Sequence, residues 1–298
     1  MSKDVKPLEA WLSCDMSLAS VTPLVGHPAF KAAARALNKV KVAAALHPDM
    51  SLVSKDAGHY VAAALTFTLH GEGGVSLPRL KAACADSKLM SAGRARALLG
   101  YWLHVGFLKP ASPRRGKAAA LYLPTERFID AWCGRMRRGL EAAVLLEPAL
   151  GRVVELMNDP TFAIAYSQIR GETILAGLAR ARGHDSPFAR IFNHRLGGGR
   201  ALALLLSRDV GEGSFASAPT PWSLSDIVEH CGVSRVQARR LFDDARAEGL
   251  VRIEDGQLTW LDEARTYILY ATAFEFASML RSAALALKIY SGLDMAAE

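Results

Sequence analysis

Apolar residues recur along this chain at helical spacing, and the same order of periodic segments occurs twice. Phe30, Ala34, Leu37, Val40 and Ala44 predict a first long helix. "GHYVAAALTFTLHGEGG" (58–74) predicts a second, apolar helix that stops at glycines. A very short strand over "VSL" (75–77) leads into a further helix, a tight turn and the helix "SAGRARALLGYWLH" (91–104). Two short extended segments follow, and a long helix from Thr125 to Leu146 closes the half. The second half offers the same parts. They are a long helix from Thr161 to Ala181, an apolar helix in "GGRALALLLSRDVGEG" (198–213), a strand at "WSL" (222–224), two helices, a hairpin and a closing helix from Glu263 to Lys288.

One stretch echoes another without a gap. "MSAGRARALLGYWLHVGFLK" (90–109) and "VSRVQARRLFDDARAEGLVR" (233–252) align without a gap and share Ser91/Ser234, Ala95/Ala238, Arg96/Arg239, Leu98/Leu241 and Gly106/Gly249. Upstream, "VSLPRLKAAC" matches "WSLSDIVEHC", and "HPAFKAAARAL" loosely matches "DPTFAIAYSQI". Shared order favours an internal duplication, with units at 1–148 and 149–298.

Local signals support these elements. Ser223 with Asp226, and Ser234 with Gln237, have the spacing of capping boxes, and Ser91 can cap its own helix. Gly106 and Gly249 accept the left-handed geometry that ends a helix. Asp255-Gly256 is a hairpin signal. In the repeated helix, Ala238, Leu241, Phe242, Ala245 and Gly249 form the expected core face. Ala95, Leu98, Leu99, Trp102 and Gly106 do so in the first copy. Arg235, Gln237 and Arg240 are left outside, as are Arg94 and Ala97, with Arg239 and Arg96 on the flanks. A helix–turn–helix followed by a hairpin is a winged helix. The expected fold is mainly α with short β-hairpin wings, as two winged helix-turn-helix units on a shared helical hub. The last helix, apolar nearly all round, should pack in that hub with the long helices at Phe30–Leu46, Thr125–Leu146 and Thr161–Ala181.

Composition adds a partner class. The chain has 298 residues, 51% of them hydrophobic, enough to bury a large core. Its net charge of +7 favours an anionic partner, nucleic acid before membrane. No apolar run approaches a membrane span, and the N-terminus lacks a signal-peptide core, so a cytoplasmic location is expected. Four scattered cysteines (Cys14, Cys84, Cys133, Cys231) have no ligand spacing and read as reduced thiols. The scattered histidines form no metal motif, so no metal or cofactor is expected. "LGGGR" (196–200) lacks a phosphate-loop ending and reads as a flexible helix entry. "GEGSFASAPTPW" (211–222) reads as an inserted loop, flexible at its Ser/Pro part. No nucleophile motif appears, and Asp243 with Asp244 reads as a solvated face, so the chain is not read as an enzyme.

The outward arginines suit DNA. The N-terminal part of the second helix of a helix-turn-helix enters the major groove, where arginine reads guanine and glutamine reads adenine. The first hairpin tip, "KPASPRRGK" (109–117), adds Arg114, Arg115 and Lys117 without an acid, suited to phosphates or a narrow minor groove. The second tip carries Glu254 and Asp255 instead.

These stretches resemble the multiple-antibiotic-resistance-regulator (MarR) family. Arg240-Leu241-Phe242-Asp243 ahead of Gly249-Leu250-Val251-Arg252 is similar to its recognition-helix signature. "SPRRGKAAALYLPTE" resembles its Arg-rich wing. The resemblance implies a transcriptional regulator binding double-stranded DNA, here as a fused pseudo-dimer in one chain. It also implies a small-molecule effector pocket that Tyr101, Trp102, His104 or Trp222 could line. The expected DNA-binding residues are Arg94, Arg96, Arg114, Arg115, Lys117, Arg235, Gln237, Arg239 and Arg240, reading an asymmetric or imperfectly palindromic site. Further oligomerisation stays open. The alternatives are a plasmid-type replication initiator and a winged-helix module that binds an acidic protein.

Overall fold

A computed structural model describes residues 8–87, 90–111, 120–180 and 186–294. The chain is mainly helical, with two small antiparallel sheets. A short 3-10 turn, Leu8–Trp11, precedes α1 (Leu18–Val25), α2 (Phe30–Leu46), α3 (Met50–Val53), α4 (Ala57–Gly71), α5 (Leu77–Ser87) and α6 (Ala92–His104). Strands β1 (Leu108–Pro110) and β2 (Tyr122–Pro124) pair, and α7 (Glu126–Ala143) follows. Next come α8 (Leu150–Leu156), α9 (Pro160–Arg180), a π-helical turn at Ala189–Asn193, α10 (Gly198–Ser207), β3 (Thr220–Pro221), α11 (Leu224–Cys231) and α12 (Arg235–Ala247). Strands β4 (Val251–Glu254) and β5 (Gln257–Trp260) lead into α13 (Asp262–Asp294). The second sheet has the order β3-β5-β4.

Local chemistry sets the helix starts. Asp56 begins α4 by accepting from the His59 amide at 2.9 Å. Thr125 begins α7 by accepting from the Phe128 amide. At α9, Asp159 accepts from the Thr161 and Phe162 amides, and Pro160 occupies the first turn, where its missing N–H costs nothing. Ser223 was expected to open α11 with a reciprocal box, and only half of it forms. Ser223 accepts from the Asp226 amide, but the Asp226 carboxylate turns to Arg208 at 2.9 Å. The charge-assisted bond is the stronger of the two. The short strands also sit slightly off their expected register. Val75 forms a single bridge to Tyr122, and β3 ends at Pro221, before Trp222.

The helices pack across the middle of the chain. α2 packs on α7, α9 on α13, and α7 also meets α9 and α13, so the four long helices share one centre. The apolar helices exchange: α4 packs on α9, and α10 packs on α2. Both exchanged contacts come with small residues. A Cβ on Gly171 of α9 would overlap the Thr68 hydroxyl and Ala64 carbonyl of α4. The other pair buries Ala33, Ala34 and Ala201. Helices from both sides of residue 148 therefore bury one continuous apolar core. α13 buries Ile268, Phe276, Leu280 and Ala283 along its length, as its near-uniform apolarity predicts.

Two segments expected to be flexible make specific contacts. In the loop after α10, Phe215 is buried and meets Phe30 edge-on at 6.2 Å. Lys31 donates to the Gly211 carbonyl at 2.5 Å, and Asp209 accepts from the Ala216 amide at 2.8 Å. The "LGGGR" glycines serve close approach: a Cβ on Gly197 would overlap Val233, and one on Gly198 would crowd the Ile191 and Phe192 carbonyls.

Candidate nucleic-acid interface

The α11–α12 corner is built by three residues. Gly232 ends α11 at φ 63°, and its N–H bonds the Val228 carbonyl. Val233 is buried in the turn. Ser234 then opens α12, accepting from the Gln237 amide at 3.2 Å while Gln237 Oε1 accepts from the Ser234 amide at 3.0 Å. The predicted capping box is therefore complete.

Ala238, Leu241, Phe242 and Ala245 turn inward, as the spacing requires. Phe242 meets Trp222 at 5.5 Å and Phe192 at 6.3 Å, and Phe192 meets Trp260 of β5 at 5.4 Å. This aromatic cluster fixes the orientation of α12 on the sheet. Arg235, Val236, Gln237, Arg239 and Arg240 are exposed. Among the described residues, no ion pair or hydrogen bond holds the Arg235, Arg239 or Arg240 guanidinium. Acids lie toward the other end of α12 and are partly neutralised, with Asp244 bound to Arg195 and Glu248 to Arg190. The free positive charge is thus concentrated in the first half of the helix. Val236, 61% exposed among these arginines, was not singled out by sequence reasoning, although it lies on their outward arc.

α6 begins in the same way and differs in outcome. Ser91 accepts from the Arg94 amide at 3.3 Å. Ala95, Leu98, Leu99 and Trp102 are buried, and Trp102 packs on Phe128 of α7 at 5.1 Å. Arg94 does not project free: its guanidinium pairs with Asp56 at 3.2 Å. Asp56 also binds the His59 ring at 2.9 Å. Burial would raise the Asp56 carboxyl, but the His59 and Arg94 contacts outweigh it and lower the pKa to about 2. Arg96 is exposed without a partner among the described residues, and Ala97 is exposed where α12 has Arg240. The tether on Arg94 joins α6 to the start of α4, a contact no sequence spacing announces.

Gly106 and Gly249 do not face the core. Both are exposed, and a Cβ on either would meet nothing within 4 Å. Their role is conformational, at φ 76° and 66°, where the chain leaves the helix. In the second hairpin, Asp255 at φ 48° and Gly256 at φ 70° make the two-residue turn that their identities predict. Arg252 pairs with Glu254 at 3.3 Å, leaving little free positive charge on that hairpin. The first hairpin pairs Leu108 with Pro124 and Pro110 with Tyr122. Its tip, with Arg114, Arg115 and Lys117, lies outside the described residues.

None of the residues expected to line a pocket reaches the cavity beside the start of α13. Trp102 is core, Tyr101 and His104 face solvent, and Trp222 packs on Phe242. That cavity, of about 690 Å³, is lined by Phe188, Tyr267, Tyr270 and Phe274 with Asp262 and Glu263. Among the described residues no three His, Cys, Asp or Glu side chains gather to hold a metal, and no helix is long and apolar enough to cross a membrane. All four cysteines are buried, and burial pushes the Cys84, Cys133 and Cys231 thiols up to about 11, which keeps them unreactive. Comparison with protein-family models, with curated proteins and with solved structures finds no match for this chain.

Proposed function

We propose that this protein binds double-stranded DNA sequence-specifically as a transcriptional regulator. Two winged helix-turn-helix units, α5–α6–β1–β2 and α11–α12–β4–β5, would arise from an internal duplication similar to a fused MarR-like dimer. The observation that carries the reading is the first half of α12. Three arginines without a partner among the described residues stand there on a doubly capped helix, backed by aromatics. Stability alone does not account for Arg235, because a cation in the first turn opposes the helix dipole. A phosphate in the same place is favoured by both the dipole and the arginines.

In the proposed mechanism α12 enters a major groove. Arg235, Arg239 and Arg240 bind phosphates and guanine edges, and Val236 meets a thymine methyl. Gln237 contributes less than its type suggests, since its carbonyl oxygen is already used by the cap and a two-point contact to adenine would cost that bond. α6 contributes Arg96, with Arg94 partly withheld by Asp56. The site read is therefore asymmetric.

The test is fluorescence anisotropy on duplexes selected from a random library. Arg240→Ala should weaken binding to a selected duplex by about 1–3 kcal/mol and relax one base position. Absence of selectable duplexes would overturn the proposal. So would a partner pulled down from extracts unchanged after nuclease treatment, which would favour protein recognition instead.

A further inference from the structure

Five helices meet around a set of buried charges that DNA recognition does not use. Arg135 of α7 and Arg170 of α9 are only 6% and 3% exposed. Lys41 of α2 pairs with Glu275 of α13 at 2.5 Å, and both side chains remain partly open to solvent. Arg170 donates to the Ser278 hydroxyl of α13. The Arg135 guanidinium lies 5.6 Å from the centre of the Tyr60 ring of α4, a cation–π contact. Burial would raise the Glu275 carboxyl, but Lys41, Arg135 and Arg170 outweigh it and hold the group below its usual range.

The charges do not balance. Three cations share the Glu275 carboxylate, and Lys41 already binds it directly. The hydrogen bonds do not balance either. Arg135 Nε, Arg170 Nε and the Tyr166 hydroxyl are buried without an acceptor. Interiors rarely leave such donors unused, because a buried charged group that gives up water without a new hydrogen bond destabilises the fold. Guanidinium groups and a phenol O–H suit oxygen anions, which accept several bonds at once. The half-exposed Lys41–Glu275 pair marks the solvent side of the cluster.

We propose that Arg135, Arg170, Lys41 and Tyr166 form a binding site for a small oxyanion or carboxylate at the centre of the helical hub. Such an anion would link α2, α4 and α7 from the first half of the chain to α9 and α13 from the second. It would stabilise their association by ordinary linkage, since only the folded hub assembles the donors.

The full chain is titrated with sodium phosphate, and separately with sodium acetate, while NaCl holds ionic strength constant. Tm and calorimetric heat are followed. A saturable rise in Tm is expected with at least one anion, and which one responds identifies the class. The variants should move the apparent affinity in opposite directions. Arg135→Gln and Arg170→Gln should lower it several-fold. Glu275→Gln should raise it, because the competing internal carboxylate is gone. Lys41→Gln, at the half-exposed rim, should lower it in a chain that keeps its fold even if a buried substitution does not. Arg240→Ala, on the surface helix, should leave it unchanged, which separates this site from the DNA-reading face. No saturable response to either anion would overturn the proposal. Equal responses in wild type, Lys41→Gln and Glu275→Gln would also overturn it.

Discussion

α6 and α12 start with the same signal and end with different surfaces. Each is opened by a serine, buries an apolar face and stops at a left-handed glycine. The difference lies in the first two turns. Among the described residues, α12 leaves Arg235, Arg239 and Arg240 without partners, whereas α6 offers Arg96, ties Arg94 to Asp56 and has Ala97 in place of the third arginine. Similar helix starts therefore do not imply similar surfaces. Which arginines are free to meet an anion depends on the acids that neighbouring helices place beside them.

The largest expected effect comes from removing the free arginines of α12. Arg235→Ala, Arg239→Ala and Arg240→Ala together should abolish preference for a selected duplex over random DNA. The pair Arg94→Ala and Arg96→Ala should keep that preference and lose only part of the affinity. Equal loss in the two sets would end the asymmetry.

Next in size is the tether. The Asp56 carboxyl sits at about 2 in the folded chain against 3.8 as its ordinary value. A depressed carboxyl contributes stability above its unfolded value and loses it as pH falls through the folded one. The contribution should be complete above about pH 4 and fade as pH approaches 2. At neutral pH it amounts to about 1–2 kcal/mol after solvent screening. Urea unfolding of Asp56→Asn should show this loss at pH 7 and a smaller one near pH 3. The α12 corner contains no counterpart of this ion pair among the described residues.

Smaller effects separate the two caps. Ser234→Ala breaks both bonds of a capping box and should cost about 1 kcal/mol or slightly more. Ser91→Ala removes a single 3.3 Å bond and should cost less in the same unfolding assay. The smallest change is a gain. Ala97→Arg, at an exposed position, should raise DNA affinity by less than about 1 kcal/mol and make α6 more like α12.

Much of the helical order was legible, because periodicity and capping residues act within a few positions. Ser234 with Gln237, Asp255-Gly256 and the inward Ala238–Leu241–Phe242 set are local features, and the structure keeps them. What was not legible is set by distant partners. Asp226 fits a capping box by spacing, yet Arg208 takes its carboxylate. Arg94 fits a reading position, yet Asp56 holds it across 38 residues. Gly106 and Gly249 lie on the core-face spacing, but backbone geometry rather than packing explains them. The glycines at 197 and 198 looked like freedom and serve close contact with Val233 and the π-helical turn. The crossed packing of α4 on α9 and α10 on α2 follows from chain topology, which periodicity does not encode.

The most direct test of the proposed, unequal DNA reading by α12 and α6 is the salt dependence of binding to one selected duplex. It is compared among wild type, the α12 triple variant and the α6 double variant. Each phosphate contact contributes close to one unit to the slope of log affinity against log salt. The account predicts a steep wild-type slope that flattens by about two to three units in the α12 variant and by no more than about one in the α6 variant. A flat wild-type slope, or equal flattening in the two variants, would contradict it.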